Sequence, residues 1–308
     1  MGSGNKGRLC VVTAVLVVSV MGTACSKKST TSTSSPSAPP KPSVTVGSVT
    51  FSESQIVAEM FAQVLAKAGY KVSKQLSLGQ RAVLQPAMPG QIQVAPEYVG
   101  SLLAYLKGTK SSDAVSETAQ DNALLAPKGL TVLDPSAAND TNAFVVTKAT
   151  ATKYNLSKVS DLKPVASKLT LGGPPECATN PVCLPGLKSV YGITGLKFQP
   201  IVACDIATAN ALDAGTIDIA ELCSTQSIIA KKGWVVLDDD KNLQPADNIT
   251  AEVSAPLLTA NPDIKALLAG VLSKLTTANI VGLNAQVDID HKDPAVVAKD
   301  FLTSNGLL

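Results

Sequence analysis

The chain has 308 residues, 45% of them hydrophobic, 4% aromatic and 16% charged, with 26 basic against 24 acidic side chains. That balance excludes a strongly basic nucleic-acid binder and a chain too polar to build a core. One histidine, His291, and one arginine beyond the leader, Arg81, exclude multi-histidine metal centres and arginine-clamped polyanion sites.

Residues 1–24 read as a secretory signal: Lys6 and Arg8, an apolar run from Leu9 to Met21, then Gly22-Thr23-Ala24 ahead of Cys25. The run is shorter than the ~20 residues a spanning helix needs. Small residues before a cysteine make a lipobox, so Cys25 is expected to become the lipidated first residue of an exported chain. Residues 25–43 continue as a Ser-, Thr-, Pro- and Lys-rich linker in which Ala38 is the lone apolar side chain, too little to offset the entropy of ordering. A flexible tether is expected, holding a body at the outer face of the bacterial cytoplasmic membrane. The first 43 residues carry five bases and no acid, which leaves the body three charges to the acidic side. That body, about 265 residues, is large for one core and comfortable for two lobes.

The body opens with a β-type run at 44–49. Ser52 and Gln55 have capping-box spacing, and Ile56, Met60, Phe61, Val64 and Leu65 keep helical spacing up to Gly69, a stop signal. A second strand around 71–78 leads to Gly79-Gln80-Arg81 and a helical stretch. Further β-type runs fall at 92–95, 130–133, 143–147, 169–171, 198–202, 217–220, 234–237 and 249–253, interleaved with helical segments such as 206–214. The alternation predicts an α/β architecture with largely parallel sheets, whose ligands sit where loops leave strand ends and helices begin. The C-terminal part is helical: Pro262 and Pro294 open helices whose apolar stripes are core material.

Four cysteines remain in the body, an even number that suggests two disulfides in an exported chain. Of three possible pairings, Cys177–Cys183 as a local staple and Cys204–Cys223 as a cross-link between neighbouring elements are favoured. The C-x5-C and C-x18-C spacings lack the C-x2-C knuckle of a zinc site, so no metal is expected. Nucleophilic catalysis lacks its G-x-S-x-G elbow, and His291 lies in a charged helix-start loop suited to the surface. Ser160-Asp161-Leu162-Lys163 fits S-x-x-K but precedes a proline and lacks its companion motifs, so it reads as a loop. No P-loop or dinucleotide fingerprint occurs, and no cofactor is expected. Glu53, Glu97 and Glu176 are the carboxylates an exported hydrolase would need to converge, although no spacing compels it.

A set of markers in order carries a resemblance: Gly47-Ser48-x-x-Phe51-Ser52-Glu53, Leu78-Gly79-Gln80-Arg81, Pro96-Glu97-Tyr98-Val99-Gly100-Ser101, Leu184-Pro185-Gly186-Leu187 with Tyr191-Gly192, Ser224-Thr225, Leu237-Asp238-Asp239-Asp240-Lys241, Gln244-Pro245-Ala246-Asp247-Asn248, and Leu283-Asn284-Ala285-x-Val287-Asp288. Over nearly all of 44–308 the chain resembles the substrate-binding lipoproteins of osmoprotectant ABC importers. The resemblance implies a two-lobed, type II periplasmic-binding-protein-like α/β fold with two hinge strands. Lobe I would be 44–144 and 250–308, and lobe II 145–249. It implies no enzyme: a monomer that closes on a small molecule and docks on an ABC permease with its ATPase. An orphan sensor of the same fold is the alternative.

Relatives of this type hold quaternary ammonium solutes in an aromatic cage, because such cations have no N–H to donate and are held by ring faces. Here Tyr98 matches one cage tyrosine. Asn142 stands at another, Cys223 replaces a third aromatic, and the stretch around Thr208 offers no tyrosine. By the resemblance the ligand contacts are Ser52, Ser54, Gln80, Arg81, Tyr98, Asn142, Thr208, Ser224 and Thr225. Beside these roles, the residues alone favour Ser52 as a plain helix cap and Arg81 as a structural ion-pair partner. Amide and hydroxyl groups at these positions suit a neutral, hydrogen-bonding ligand. The competing expectation is a cage rebuilt from Phe51, Phe144 or Tyr191, while Trp234 reads as core.

Overall fold

The computed structural model describes residues 41–79, 81–202, 204 and 206–308. The expected signal, the lipidated Cys25, the linker up to residue 40 and the candidate Gln80 lie outside the described residues. Among the described residues no helix is long and apolar enough to cross a membrane.

In chain order the first part runs β1 (Ser43–Gly47), α1 (Ser52–Lys67), β2 (Lys71–Gln75), α2 (Arg81–Ala87), β3 (Val94–Tyr98), α3 (Val99–Tyr105), α4 (Ala114–Leu125) and β4 (Leu130–Val132). The middle part is β5 (Asn142–Val146), α5 (Lys148–Tyr154), β6 (Thr170–Gly173), α6 (Leu184–Ser189), β7 (Lys197–Pro200), α7 (Ile206–Asp213), β8 (Ile219–Cys223), α8 (Ser227–Lys232) and β9 (Val235–Val236). The chain ends with β10 (Ile249–Ser254), α9 (Ala255–Ala260), α10 (Asp263–Leu272), α11 (Thr277–Asp288) and α12 (Pro294–Ser304).

Two five-stranded sheets result, in the orders β2-β1-β3-β10-β4 and β7-β6-β8-β5-β9. Neither is wholly parallel. In each, one strand runs against the other four: β10 in the first sheet and β5 in the second. These two strands carry the chain back from, and into, the second half, which is why a strictly alternating βα pattern does not apply to them. The α/β, two-lobed, periplasmic-binding-protein-like expectation describes this architecture.

The first core forms where α1 lies on its sheet. Ile56, Val57, Met60, Phe61 and Leu65 are buried against β1 and β3 and against α10, α11 and α12. Each such side chain removed from water contributes about 1.5–3 kcal/mol. Gly69 (φ 91°) ends this helix in the left-handed backbone that glycine adopts without strain. The N-terminus differs from the expected capping box. Phe51 is the N-cap and makes no side-chain cap bond, while Gln55 donates to the Thr50 carbonyl. The expected tether also ends earlier than residue 43, since Lys41 already pairs with Asp263 and lies 4.3 Å over the Tyr70 ring. The second lobe has its own core, in which Phe144, Leu162, Leu171 and Tyr191 are buried and Trp234 is half-buried at the edge.

Two segments, 133–141 and 237–248, join the lobes and run antiparallel where they meet. Asn139 bridges Asn248, the Asp140 N–H donates to the Asp247 carbonyl (3.1 Å) and the Ile249 N–H to the Ala138 carbonyl (2.9 Å). The Ser224 hydroxyl accepts from the Thr141 N–H (3.1 Å) and donates to the Asn139 carbonyl (3.0 Å), fastening the end of β8 to the first crossing. The second crossing is anchored by Asp247, which accepts from the Ser101 N–H (2.8 Å) and hydroxyl (2.5 Å). Gly100 is required there, because a Cβ would stand 2.1 Å from the Ala246 carbonyl oxygen. The expected lobe boundary at 144/145 falls inside β5, all of which pairs in the second sheet, and Ile249 already belongs to β10.

The first lobe buries an excess of carboxylates. Glu97 (2% exposed) is held by Arg81, and Gln85 donates to both Glu97 (3.3 Å) and Glu252 (2.6 Å). Asp121 is fully buried with neither oxygen bonded, and Glu117 Oε2 and Glu252 Oε1 also lack partners. Burial, with Glu117 and Glu97 nearby, pushes Asp121 up to about 8, and burial, with Glu97 nearby, pushes Glu252 up to about 8. A raised folded pKa gives stability that is complete below the unfolded value and is lost as pH climbs to the folded one. The urea midpoint is therefore expected to fall between pH 5 and 8, with Asp121→Asn flattening that slope. A midpoint that climbs over the same window would contradict the protonated cluster.

Candidate functional site

A cavity of about 390 Å³ opens between the lobes. The first lobe lines it with Phe51, Ser52 and Glu53 at the start of α1 and with Asn284 and Asp288 on α11; Asp140 comes from the first crossing. The second lobe lines it with Cys204, Cys223, Thr225 and Gln226. The α1 start faces the cleft because β1 ends at Gly47 and the chain turns there, with the Val49 N–H donating to Ser54 Oγ (3.2 Å).

Glu53 organises the floor. Its Oε1 accepts from the Tyr98 hydroxyl (2.8 Å) and its Oε2 from Asn284 Nδ2 (2.8 Å), which also donates to the Thr225 carbonyl (3.1 Å). The Thr225 N–H donates to Asp140 Oδ1 (3.3 Å). Both carboxyls are pushed up from the usual carboxylate range, each by burial first, and Asp140 next by the neighbouring Glu53 charge. At the rim the Ser52 hydroxyl donates to Asp288 Oδ1 (2.5 Å).

Of the sequence candidates, Ser52 and Thr225 line this cavity. Tyr98 stands one layer behind, its hydroxyl given to Glu53 and its ring 5.8 Å from that of Phe51. Ser54 is buried beneath the helix start, and Ser224 and Thr208 bond backbone carbonyls, so these three stabilise the walls. Arg81 is bound two-pronged to Glu97 through Nε (2.9 Å) and Nη2 (2.8 Å), so it is the structural ion-pair partner rather than a free carboxylate clamp. Asn142 donates to Glu221 (3.1 Å) and lines a separate cavity of about 430 Å³ on the crossing segments, together with Lys110 and Asp247.

Both expected disulfides are present, with Cα separations of 5.1 Å for Cys177–Cys183 and 5.0 Å for Cys204–Cys223. The second occupies the wall where the resemblance expects an aromatic at 223. The cage is not rebuilt: Phe144 and Tyr191 are core residues of the second lobe, and Phe51 (47% exposed) is the aromatic at the cavity. The three hydrolase carboxylates do not gather there either. Glu53 lines the cavity, Glu97 is spent on Arg81, and Glu176 is outside it. Ser160 bonds Asp240 in a short 3-10 turn and His291 is exposed, as expected of surface loops. No local pattern marks Asp140, Asn284 and Asp288 as contacts, although Asn284 and Asp288 stand in the marker 283–288.

A family model described as the substrate binding domain of ABC-type glycine betaine transport systems matches residues 42–304. The chain is 28% identical over 277 residues to a glycine-betaine-binding protein of Pseudomonas aeruginosa, covering 86% of this chain and 89% of that one. It is 28% identical over 276 residues to the carnitine transport binding protein OpuCC of Listeria monocytogenes, covering 86% and 87%. Among solved structures, one described as a glycine betaine/carnitine/choline ABC transporter superposes with a TM-score of 0.78 at 29% identity, over 86% of this chain and 99% of that one.

Proposed function

The chain belongs to the family of substrate-binding domains of ABC-type glycine betaine transport systems, and from that premise we propose that it captures a small organic solute between its lobes and presents it to an importer's permease. It is a binding protein and not an enzyme, as its relatives are. The observation that carries the reading is the cavity, lined from both lobes and backed by the two paired crossing segments. Closing the cleft on a ligand would bury the lining and present a shape for the permease to read.

Three finer points belong to the same reading. The lobes divide at the crossing segments 133–141 and 237–248. Cys25 carries a lipid that holds the protein, as a monomer, at the outer face of the cytoplasmic membrane. The ligand is not gripped by an aromatic cage, since at ~0.5–2 kcal/mol per cation–π contact one ring cannot replace several.

Isothermal titration on residues 26–308 against glycine betaine, choline, carnitine and proline, then against other small metabolites, tests the capture. Saturable heat from at least one compound, with a stoichiometry near one per chain, is expected; silence across the panel would remove the reading. For the anchor, Cys25→Ala is expected to shift the protein from the membrane fraction to the medium and abolish palmitate labelling. Unchanged membrane association would contradict a lipid at that position.

A further inference from the structure

Resting on the capture reading, we infer that the inter-lobe cavity selects a small organic cation that carries N–H donors, an ammonium or guanidinium, over N-methylated cations and zwitterions. Acceptors dominate its lining. Glu53, Asp140 and Asp288 contribute carboxylates from three different parts of the chain, and among the described residues the lining holds no lysine, arginine or histidine. Arg81, the one arginine among the expected ligand contacts, is committed to Glu97.

The lining's side-chain donors are committed as well apart from Gln226, which accepts from the Cys223 N–H through Oε1 (3.1 Å) and keeps its NH2 to give. Ser52 gives its hydroxyl to Asp288, Asn284 gives Nδ2 to Glu53 and the Thr225 carbonyl, and the Thr225 hydroxyl lies against Asp140 and Glu53. Asn284 is 5% exposed and its Oδ1 has no partner. A buried acceptor left unpaired costs free energy until a donor meets it, so this atom asks for the same chemistry as the carboxylates.

Each alternative lacks its partner groups. A zwitterion brings a carboxylate that meets no basic side chain in the lining. The positive end of α1, the other candidate for an anion, already has Glu53 in its first turn and Asp288 bonded to Ser52. A quaternary ammonium cannot donate strong hydrogen bonds and finds one lining ring, Phe51. A bare metal ion needs its ligands gathered, and among the described residues the group of three or more such atoms lying close together is Cys177, Cys183 and Glu221, away from this cavity. A molecule with several N–H groups can span separated carboxylates in a space of about 390 Å³ through charge-assisted bonds.

Matched pairs test this by titration calorimetry at pH 7.5: ethanolamine against choline, and 1,5-diaminopentane against its bis-trimethylammonium counterpart, with agmatine, glycine betaine and proline alongside. At least one N–H cation is expected to bind about tenfold or more tightly than its methylated partner, the effect of one retained charge-assisted bond. The exposed Asp288→Asn is expected to weaken that binding by about tenfold with an unchanged melting temperature. Choline or glycine betaine binding as tightly as the best amine would overturn the inference and leave the capture reading standing. A neutral compound binding best would do the same, and heat from no compound would overturn both.

Discussion

Replacement of Arg81 by alanine is expected to cost about 3 kcal/mol of folding free energy, the lower end of the range for breaking a buried ion pair because the guanidinium keeps some exposure to water. Arg81 reaches Glu97 through three contacts of 2.8–3.0 Å, and Glu97 has almost no access to water. Without the guanidinium, Glu97 would be left with Glu252 and Asp121 for charged company. Arg81→Lys should recover little, since a single ammonium cannot reproduce the two-pronged fork. Arg81→Ala combined with Glu97→Gln should recover more than half, because it removes the stranded charge. Urea unfolding at pH 7.5 measures all three, and a loss under about 1 kcal/mol for the single variant would show that the pair is merely a surface bridge.

Removing the Cys204–Cys223 disulfide as the double alanine variant is expected to cost about 3 kcal/mol in stability from the closed loop alone. A second, separate loss should appear in ligand affinity. The bond joins residues 19 apart in sequence, and both cysteines line the cavity. It ties the entry to α7 to the end of β8 while Val202 and Ile206 stay largely exposed on either side of Cys204. Cys177–Cys183 supplies the control. Buried and outside the cavity, it should cost about 2 kcal/mol when removed and leave affinity alone. Equal effects of the two variants on affinity would mean that the cleft disulfide acts through stability only.

The fold was readable because its signals are local. The Ile56, Met60, Phe61, Val64 and Leu65 spacing with Gly69 at its end marks α1, and an even set of four cysteines beyond the leader marks the two bridges. What local patterns cannot carry is the direction of a returning strand: β5 and β10 look like any other apolar run, and their antiparallel pairing is set by where the chain has been. The site suffers from the same limit. Tyr98, Ser52 and Arg81 were recognised by type, yet which of them meets the cavity depends on partners far along the chain: Glu53 for Tyr98, Asp288 for Ser52, Glu97 for Arg81. Charge counting could raise Asp140, an acid in a stretch from 129 to 147 that holds no base, and Asp288 is the acid that ends a marker.

The position of β10 also bears on the order in which the polypeptide becomes a protein. β10 lies between β3 and β4, so a chain that emerges N-terminus first cannot finish its first sheet until residue 254 is free, whereas all five strands of the second sheet are out by residue 236. The half that is encoded second is thus free to fold first, and the earlier strands must wait with an edge of unpaired backbone at β3. Pulse-labelling hydrogen exchange during refolding should find β6 and β8 amides protected before those of β3. Early protection at β3 would mean that the first sheet nucleates before β10 joins it.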